Sequence, residues 1–355
     1  MIKVLVIGAG QIGMTIAAML AEAGDFAVTL ADGDAEALKR GLPQGVTATV
    51  ANVEDHAGLD AALAGQDVVF SACPYYLSLP IAEAAKEAGL HFLDLTEDID
   101  TARRIRQLAN GSEKAFIPQC GLAPGFISIV ANDLINRFDE PYDVRLRVGA
   151  LPQFPDNALK YNLTWSTEGL INEYCNPSEA IYNGEKREIL PLEGLEEFSL
   201  DGVRYEAFST AGGVGTLCET LEGRVRNLNY KTVRYPGHRD MVRMLVLDLR
   251  LCERREIFRD IIEHGVPVTR QDVVLIFVTV TGLKDGRLTQ ESYVRKIYGD
   301  EDDKGRSAIQ TTTAAAACAM MDLLRQGKLP KRGFVRQEQA KYKDFIENRF
   351  GKVYA

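Results

Sequence analysis

The run Ile2-Lys3-Val4-Leu5-Val6-Ile7 leads without a break into Gly8-Ala9-Gly10-Gln11-Ile12-Gly13, and no other stretch constrains the fold as tightly. Val, Ile and Leu without alternation suit a strand buried on both faces of a parallel sheet. Residues 11–23 are patterned as a helix, with Ile12, Ile16, Met19 and Leu20 on one face and Gly24 as the stop. A strand that turns directly into a helix needs Gly8 for the tight turn and Gly13 for close packing of helix on strand. Gly10 leaves its side of the turn bare, and the helix N-terminus beside it offers unpaired N–H groups and positive dipole to phosphate oxygens. A second apolar run, residues 26–31, ends at Asp32, where an acid can bind the hydroxyls of an adenosine ribose. Strand, glycines, helix, strand and acid in register read as a dinucleotide-binding fingerprint. Gly8, Gly10, Gln11, Ile12, Gly13 and Asp32 are its candidate contacts. A carboxylate at Asp32 repels a 2′-phosphate, and Gly33 and Asp34 supply no arginine to receive one. The expected cofactor is therefore NAD in preference to NADP.

Beyond Asp32 the alternation continues, with strands expected at 46–53, 67–73, 91–95 and 116–119 and helices at 57–64, 77–88 and 99–109. This is a doubly wound Rossmann domain, with strands in the order 3-2-1-4-5-6. In that fold ligands lie along the carboxyl ends of the strands. Asn52 and Val53 are then expected by the adenine, and Ala72, Cys73, Pro74 and Tyr75 by the pyrophosphate and nicotinamide ribose. Residues 94–97 and 120–125 would face the nicotinamide end. For any one of these the alternative is a strand-end residue that only caps a turn.

After Gly121-Leu122-Ala123-Pro124-Gly125 the character changes. A helix at 127–137 precedes 142–149, where Val144, Leu146 and Val148 alternate with Arg145 and Arg147 as in a strand with one wet face. Further strands are expected from 163, at 203–207, at 224–235, and as a hairpin of 273–283 with 290–297 around Lys284-Asp285-Gly286-Arg287. Helices are expected at 239–249 and 254–263. This second region is α+β with a mixed or antiparallel sheet. A charged loop at 300–304 leads to a helix at 307–326, whose small residues at 311–317 suit close packing.

At 355 residues the chain is long enough for two cores. Its net charge of −9 speaks against a nucleic-acid surface, which needs a basic stripe. No apolar run reaches the length of a membrane span, and no signal-peptide pattern precedes the first strand. Six scattered cysteines with no CxxC pair read as buried reduced thiols, and no metal site is expected. A cytoplasmic location follows from these expectations.

The chain resembles the saccharopine dehydrogenase family, in particular its single-chain bacterial and archaeal branch with lysine 6-dehydrogenase-like members. The resemblance rests on GAGQIG at 8–13, QCGLAPGF at 119–126, TWSTEGLINEY at 164–174, VRYPGH at 233–238 and GFVRQE at 333–338. It implies three parts: a Rossmann domain at 1–125, an α+β substrate and dimerisation domain at 126–305, and C-terminal helices at 306–355 that return to the Rossmann domain. It also implies a homodimer and reversible hydride transfer at a C–N bond of an amino acid or related amine, through an imine. Such chemistry needs a base for the amine proton and a cation for the substrate carboxylate. Among the four histidines, His238 is the candidate proton carrier, with a pKa near neutrality suiting both directions; a helix-start hydrogen bond is its alternative. Arg234 is the candidate carboxylate receptor, Trp165 a pocket wall and Glu168 an ammonium receptor, all expected to converge on one cleft. A competing reading is a dinucleotide-sensing or partner-binding protein that keeps the fold without catalysis.

Overall fold

The structure, a computed structural model, describes residues 1–39, 41–300 and 305–355, so 301–304 of the expected charged loop lie outside the described residues. The first elements are β1 (Ile2–Ile7), α1 (Gln11–Glu22), β2 (Phe26–Asp32), α2 (Ala35–Lys39), β3 (Val46–Val50), α3 (His56–Leu63), β4 (Val68–Ser71), α4 (Tyr75–Glu87), β5 (His91–Asp94), α5 (Ile99–Leu108) and β6 (Ala115–Ile117). Next come α6 (Phe126–Ile135), β7 (Glu140–Pro152), α7 (Thr167–Cys175), β8 (Ser178–Tyr182), β9 (Glu185–Ile189), β10 (Glu196–Leu200), β11 (Val203–Phe208), α8 (Leu217–Leu221), β12 (Asn227–Arg234) and α9 (His238–Arg243). The chain closes with α10 (Arg255–Gly265), β13 (Asp272–Lys284), β14 (Arg287–Tyr298), α11 (Ala308–Arg325), β15 (Gly333–Phe334) and α12 (Tyr342–Glu347). It divides into two compact units, Met1–Phe126 with Gln310–Ala355, and Ile127–Ile309.

The first unit is built on a sheet ordered β15-β6-β5-β4-β1-β2-β3, whose pairings run parallel. The order 3-2-1-4-5-6 is as expected, with β15 added at the β6 edge. Val4, Leu5 and Val6 are fully buried, as an unalternating strand between two helical layers should be. The later strands stop earlier than the sequence pattern does. β3 ends at Val50, before the turn at Asn52, whose side-chain oxygen receives the Glu54 N–H. β6 ends at Ile117, because Pro118 has no N–H to donate and Gln119 lies in the left-handed region at φ 66°. From the C-terminal residues, the Tyr354 hydroxyl donates to the Thr312 carbonyl of α11 at 2.7 Å, and its ring stacks on Phe126.

The second unit holds a mixed sheet ordered β10-β11-β12-β7-β13-β14, with β8 pairing β12 and β9. β12 runs parallel to β7, whereas β7–β13 and β13–β14 are antiparallel. Three expectations change here. The segment from 163 forms only an isolated bridge, Leu163 to Val268, instead of a strand. The helix expected at 239–249 is α9 followed by one wide turn, in which Leu249 N–H reaches back to the Met244 carbonyl. Strands β8, β9 and β10 lie where the sequence pattern pointed to nothing. The thiol expectation is also corrected: Cys175, at the end of α7, and Cys252 form a disulfide with Cα atoms 5.6 Å apart. Folding brings together two cysteines 77 residues apart, a proximity that spacing alone cannot reveal. The expected set of reduced thiols, one ground for a cytoplasmic location, is short of that pair. Among the described residues no helix is long and apolar enough to cross a membrane, and no acid, cysteine and histidine cluster forms a metal site.

Candidate functional site

In the first unit the turn between β1 and α1 has the shape of a phosphate cradle. Gly8 adopts φ 109°, and a Cβ there would stand 2.8 Å from the Ala72 carbonyl oxygen. A Cβ on Gly13 would fall 1.9 Å from the Gly8 oxygen, so helix and strand approach as only glycine permits. Gly10, in contrast, has nothing within 4 Å of an added Cβ. That open side is where backbone can meet a pyrophosphate, and Gln11 and Ile12 begin the helix behind it. The residues present therefore fit a dinucleotide's phosphates.

The flanking positions differ in what they offer. Ala72 and Cys73 are half-buried at the carboxyl end of β4, and Pro74 and Tyr75 begin α4. Cys73 donates its S–H to the Ile7 carbonyl, and burial, assisted by Asp32, pushes its thiol up to about 12, so it is no nucleophile. Val53 is packed into the core, whereas Asn52 is exposed at its turn. Asp94, at the end of β5, is completely buried. Its Oδ1 receives the N–H groups of Thr96 and Gln119, and burial raises its carboxyl to about 7.

In the second unit a buried relay joins three elements. His238, the first residue of α9, is 1% exposed. Its Nδ1–H donates to the Leu159 carbonyl at 2.8 Å, because a carbonyl can only accept. Nε2 is then the acceptor for the Tyr174 hydroxyl at 2.9 Å, and that oxygen receives Nε–H from Arg234 at 3.2 Å. Burial, with the charge of Arg234 beside it, lowers the His238 pKa to about 3. The expectation that His238 carries protons near neutrality is thus corrected: the ring is neutral, enclosed and bonded at both nitrogens. Arg234 is 3% exposed, lies over the Tyr161 ring and directs its hydrogen bonds to Tyr174 and the Val233 carbonyl. Burial opposes its charge, but the polar surroundings, with the Tyr174 hydroxyl bonded to it and the Glu173 carboxylate nearby, outweigh that.

Trp165 packs beside the same cluster, its ring so close to Gly169 that a Cβ there would lie 2.3 Å from the indole. Glu168 does not join it. Its carboxylate pairs with Arg255 at 2.8 Å and Arg259 at 3.1 Å, tying α7 to α10, which leaves an ammonium receptor there already occupied by two guanidinium groups. Sequence reasoning missed Tyr161, Tyr174 and Glu206. The last accepts the Gly237 and Arg239 N–H groups and so holds the start of α9. A usable signal was the need of a buried arginine for polar neighbours, which the tyrosines near Trp165 supply. Thr164 and Tyr161 also bury their hydroxyls beside this cluster.

Fold and cradle define a Rossmann-type protein with an appended α+β domain. Family models place it further: residues 4–116 match the saccharopine dehydrogenase NADP binding domain, and 121–352 match the saccharopine dehydrogenase C-terminal domain. The chain belongs to the saccharopine dehydrogenase family. It is 28% identical over 278 residues to saccharopine dehydrogenase [NADP(+), L-glutamate-forming] of Saccharomyces cerevisiae, covering 72% of this chain and 60% of that protein. It is 24% identical over 324 residues to the mitochondrial alpha-aminoadipic semialdehyde synthase of Rattus norvegicus, covering 84% of this chain and 33% of that protein. The chain thus spans about a third to three fifths of the length of these relatives. Among solved structures, apo saccharopine dehydrogenase (L-Glu forming) from Saccharomyces cerevisiae matches with a TM-score of 0.78 at 16% identity, over 100% of this chain and 96% of that one.

These findings overturn the preference for NAD over NADP. The matched domain is an NADP binding domain, and the fungal relatives carry NADP(+) in their names. The Asp32 carboxylate is already engaged within the first unit. In the structure Oδ2 receives the Ala9 N–H at 2.7 Å and Oδ1 the Asp34 N–H at 2.8 Å, so the group closes the cradle's own backbone.

Proposed function

We propose that this protein is an NADP-dependent oxidoreductase that interconverts an amine and an imine at a C–N bond of an amino acid of the saccharopine or lysine class. The observation that carries the reading is Arg234, a buried guanidinium whose hydrogen bonds go to neutral groups. A buried guanidinium bonded to no carboxylate keeps donor capacity for an anion, and a substrate carboxylate is the anion this chemistry brings. The bound dinucleotide supplies or accepts the hydride at its nicotinamide ring. In the first unit Gly8, Gly10 and the start of α1 seat the phosphates; in the second unit Arg234 is the carboxylate receptor, with Trp165 packed beside its cluster. Tyr174 and His238 keep the guanidinium in one orientation. The second unit is also the expected homodimer surface, a point that sedimentation would decide.

The test mixes purified protein with NADP or NADPH and a panel of amino acids, keto acids and amines, following absorbance of the reduced nicotinamide. Turnover that Arg234→Lys loses chiefly through a raised KM supports the reading. Intact NADPH binding with silence across the panel would favour the dinucleotide sensor instead.

A further inference from the structure

Two chain segments meet at Asp94. Its Oδ1 receives the Gln119 N–H at 2.9 Å and the Thr96 N–H at 3.1 Å, and its backbone carbonyl receives the Cys120 N–H at 2.8 Å. Asp94 ends β5 and Gln119 follows β6, so these bonds cross from one strand end to the next loop. Gln119 sits at φ 66°, a conformation that glycine holds freely and a glutamine holds only under restraint. The successive amides of Gln119 and Cys120 both terminate on Asp94, which is that restraint. From there the chain enters 121–125, itself tightly folded: Phe126 N–H donates to the Gly121 carbonyl, and a Cβ on Gly125 would lie 1.9 Å from that oxygen. The Asp94 carboxyl is wholly buried, with the Ser78 hydroxyl beside it. A wholly buried carboxyl costs desolvation, so its presence calls for a reason other than stability.

In a doubly wound sheet the ligand crosses the carboxyl ends of the strands, and the ends of β5 and β6 lie on the nicotinamide side. We propose that Asp94 is a positioning residue for the dinucleotide, holding the Gln119–Cys120 backbone in its left-handed turn so that the 121–125 loop borders the nicotinamide half of the site. The proposal rests on the dinucleotide reading above. It acts through backbone amides, so an acceptor at Oδ1 is what matters and a negative charge is not required.

The experiment compares wild type, Asp94→Asn and Asp94→Ala for NADPH binding by fluorescence titration, and for amide hydrogen exchange at Gln119 and Cys120. Asp94→Ala is expected to weaken NADPH about tenfold or more and to expose both amides, whereas Asp94→Asn, which keeps an Oδ1 acceptor, should stay within about threefold of wild type. An Asp94→Ala variant that binds as wild type does, or an Asp94→Asn variant as impaired as Asp94→Ala, overturns the proposal. Should Asp94→Ala not fold, exchange decides: fast-exchanging Gln119 and Cys120 amides in wild type or in Asp94→Asn overturn it, and protection in both supports it. Wild type that fails to bind NADPH overturns the dinucleotide reading and this inference together, whereas normal binding with no Asp94 effect removes the inference alone.

Discussion

Burial sets the chemistry of individual residues here, and with opposite signs in His238 and Asp94. His238 in the folded chain has a pKa of about 3 against an ordinary 6.5, so the unfolded chain binds the extra proton between those values. Its contribution is complete above pH 6.5 and is lost as pH falls toward 3, at up to about 1.4 kcal/mol per pH unit. Asp94 is raised from 3.8 to about 7, so the folded chain binds the extra proton; stability is complete below 3.8 and is lost as pH rises to about 7. Denaturant unfolding across pH should therefore show His238→Gln with a flatter acid limb than wild type. Asp94→Asn should be flatter over the range from 3.8 to about 7. Parallel curves for wild type and variant in either case would contradict the assigned burial. At Arg234, substitution by Lys keeps a charge but loses the planar fork that engages Tyr174 and, in the proposed function, a substrate carboxylate as well. A rise in substrate KM of about tenfold or more, with NADPH affinity unchanged, is the expected result in steady-state kinetics.

Among the elements, the β1–α1 turn separates the two uses of glycine. Gly13→Ala forces a methyl onto the Gly8 carbonyl, so it should cost about 1–3 kcal/mol as overpacking and weaken NADPH as well. Gly10→Ala meets open space. It should melt like wild type yet bind NADPH more weakly, because its methyl enters the phosphate seat. Melting curves paired with NADPH titration check both, and a Gly13→Ala protein as stable as wild type would mean that helix and strand are not so close. Elements with strong local patterns were legible: β1, α1, β2 and the β13–β14 hairpin around Asp285-Gly286 follow from runs, glycines and turn residues. Elements that depend on partners were not. β15 is two residues, Gly333 and Phe334, and is a strand only because the β6 edge offers it Ala115 and Phe116. In β9, short and largely exposed, no apolar alternation announces a strand.

For the whole molecule, a ligand that binds only the folded state stabilises it by mass action. NADPH at about a hundred times its Kd should add about 2.7 kcal/mol, and scanning calorimetry should show a larger rise in transition temperature for NADPH than for NADH at equal concentration. Equal shifts would contradict the proposed use of NADP. By itself the sequence determined the doubly wound domain, its strand order, the glycine cradle and the family, because each rests on local periodicity, turn chemistry or motifs contiguous in the chain. Tertiary structure alone decided what the polar side chains do. Asp32 closes a backbone turn, Glu168 bridges two helices, and His238 is sealed between Leu159 and Tyr174. Cys175 pairs with a distant cysteine. A hydrogen-bond partner, a depressed pKa or a disulfide depends on which remote residue folding brings within a few ångströms, and on how much water that packing removes.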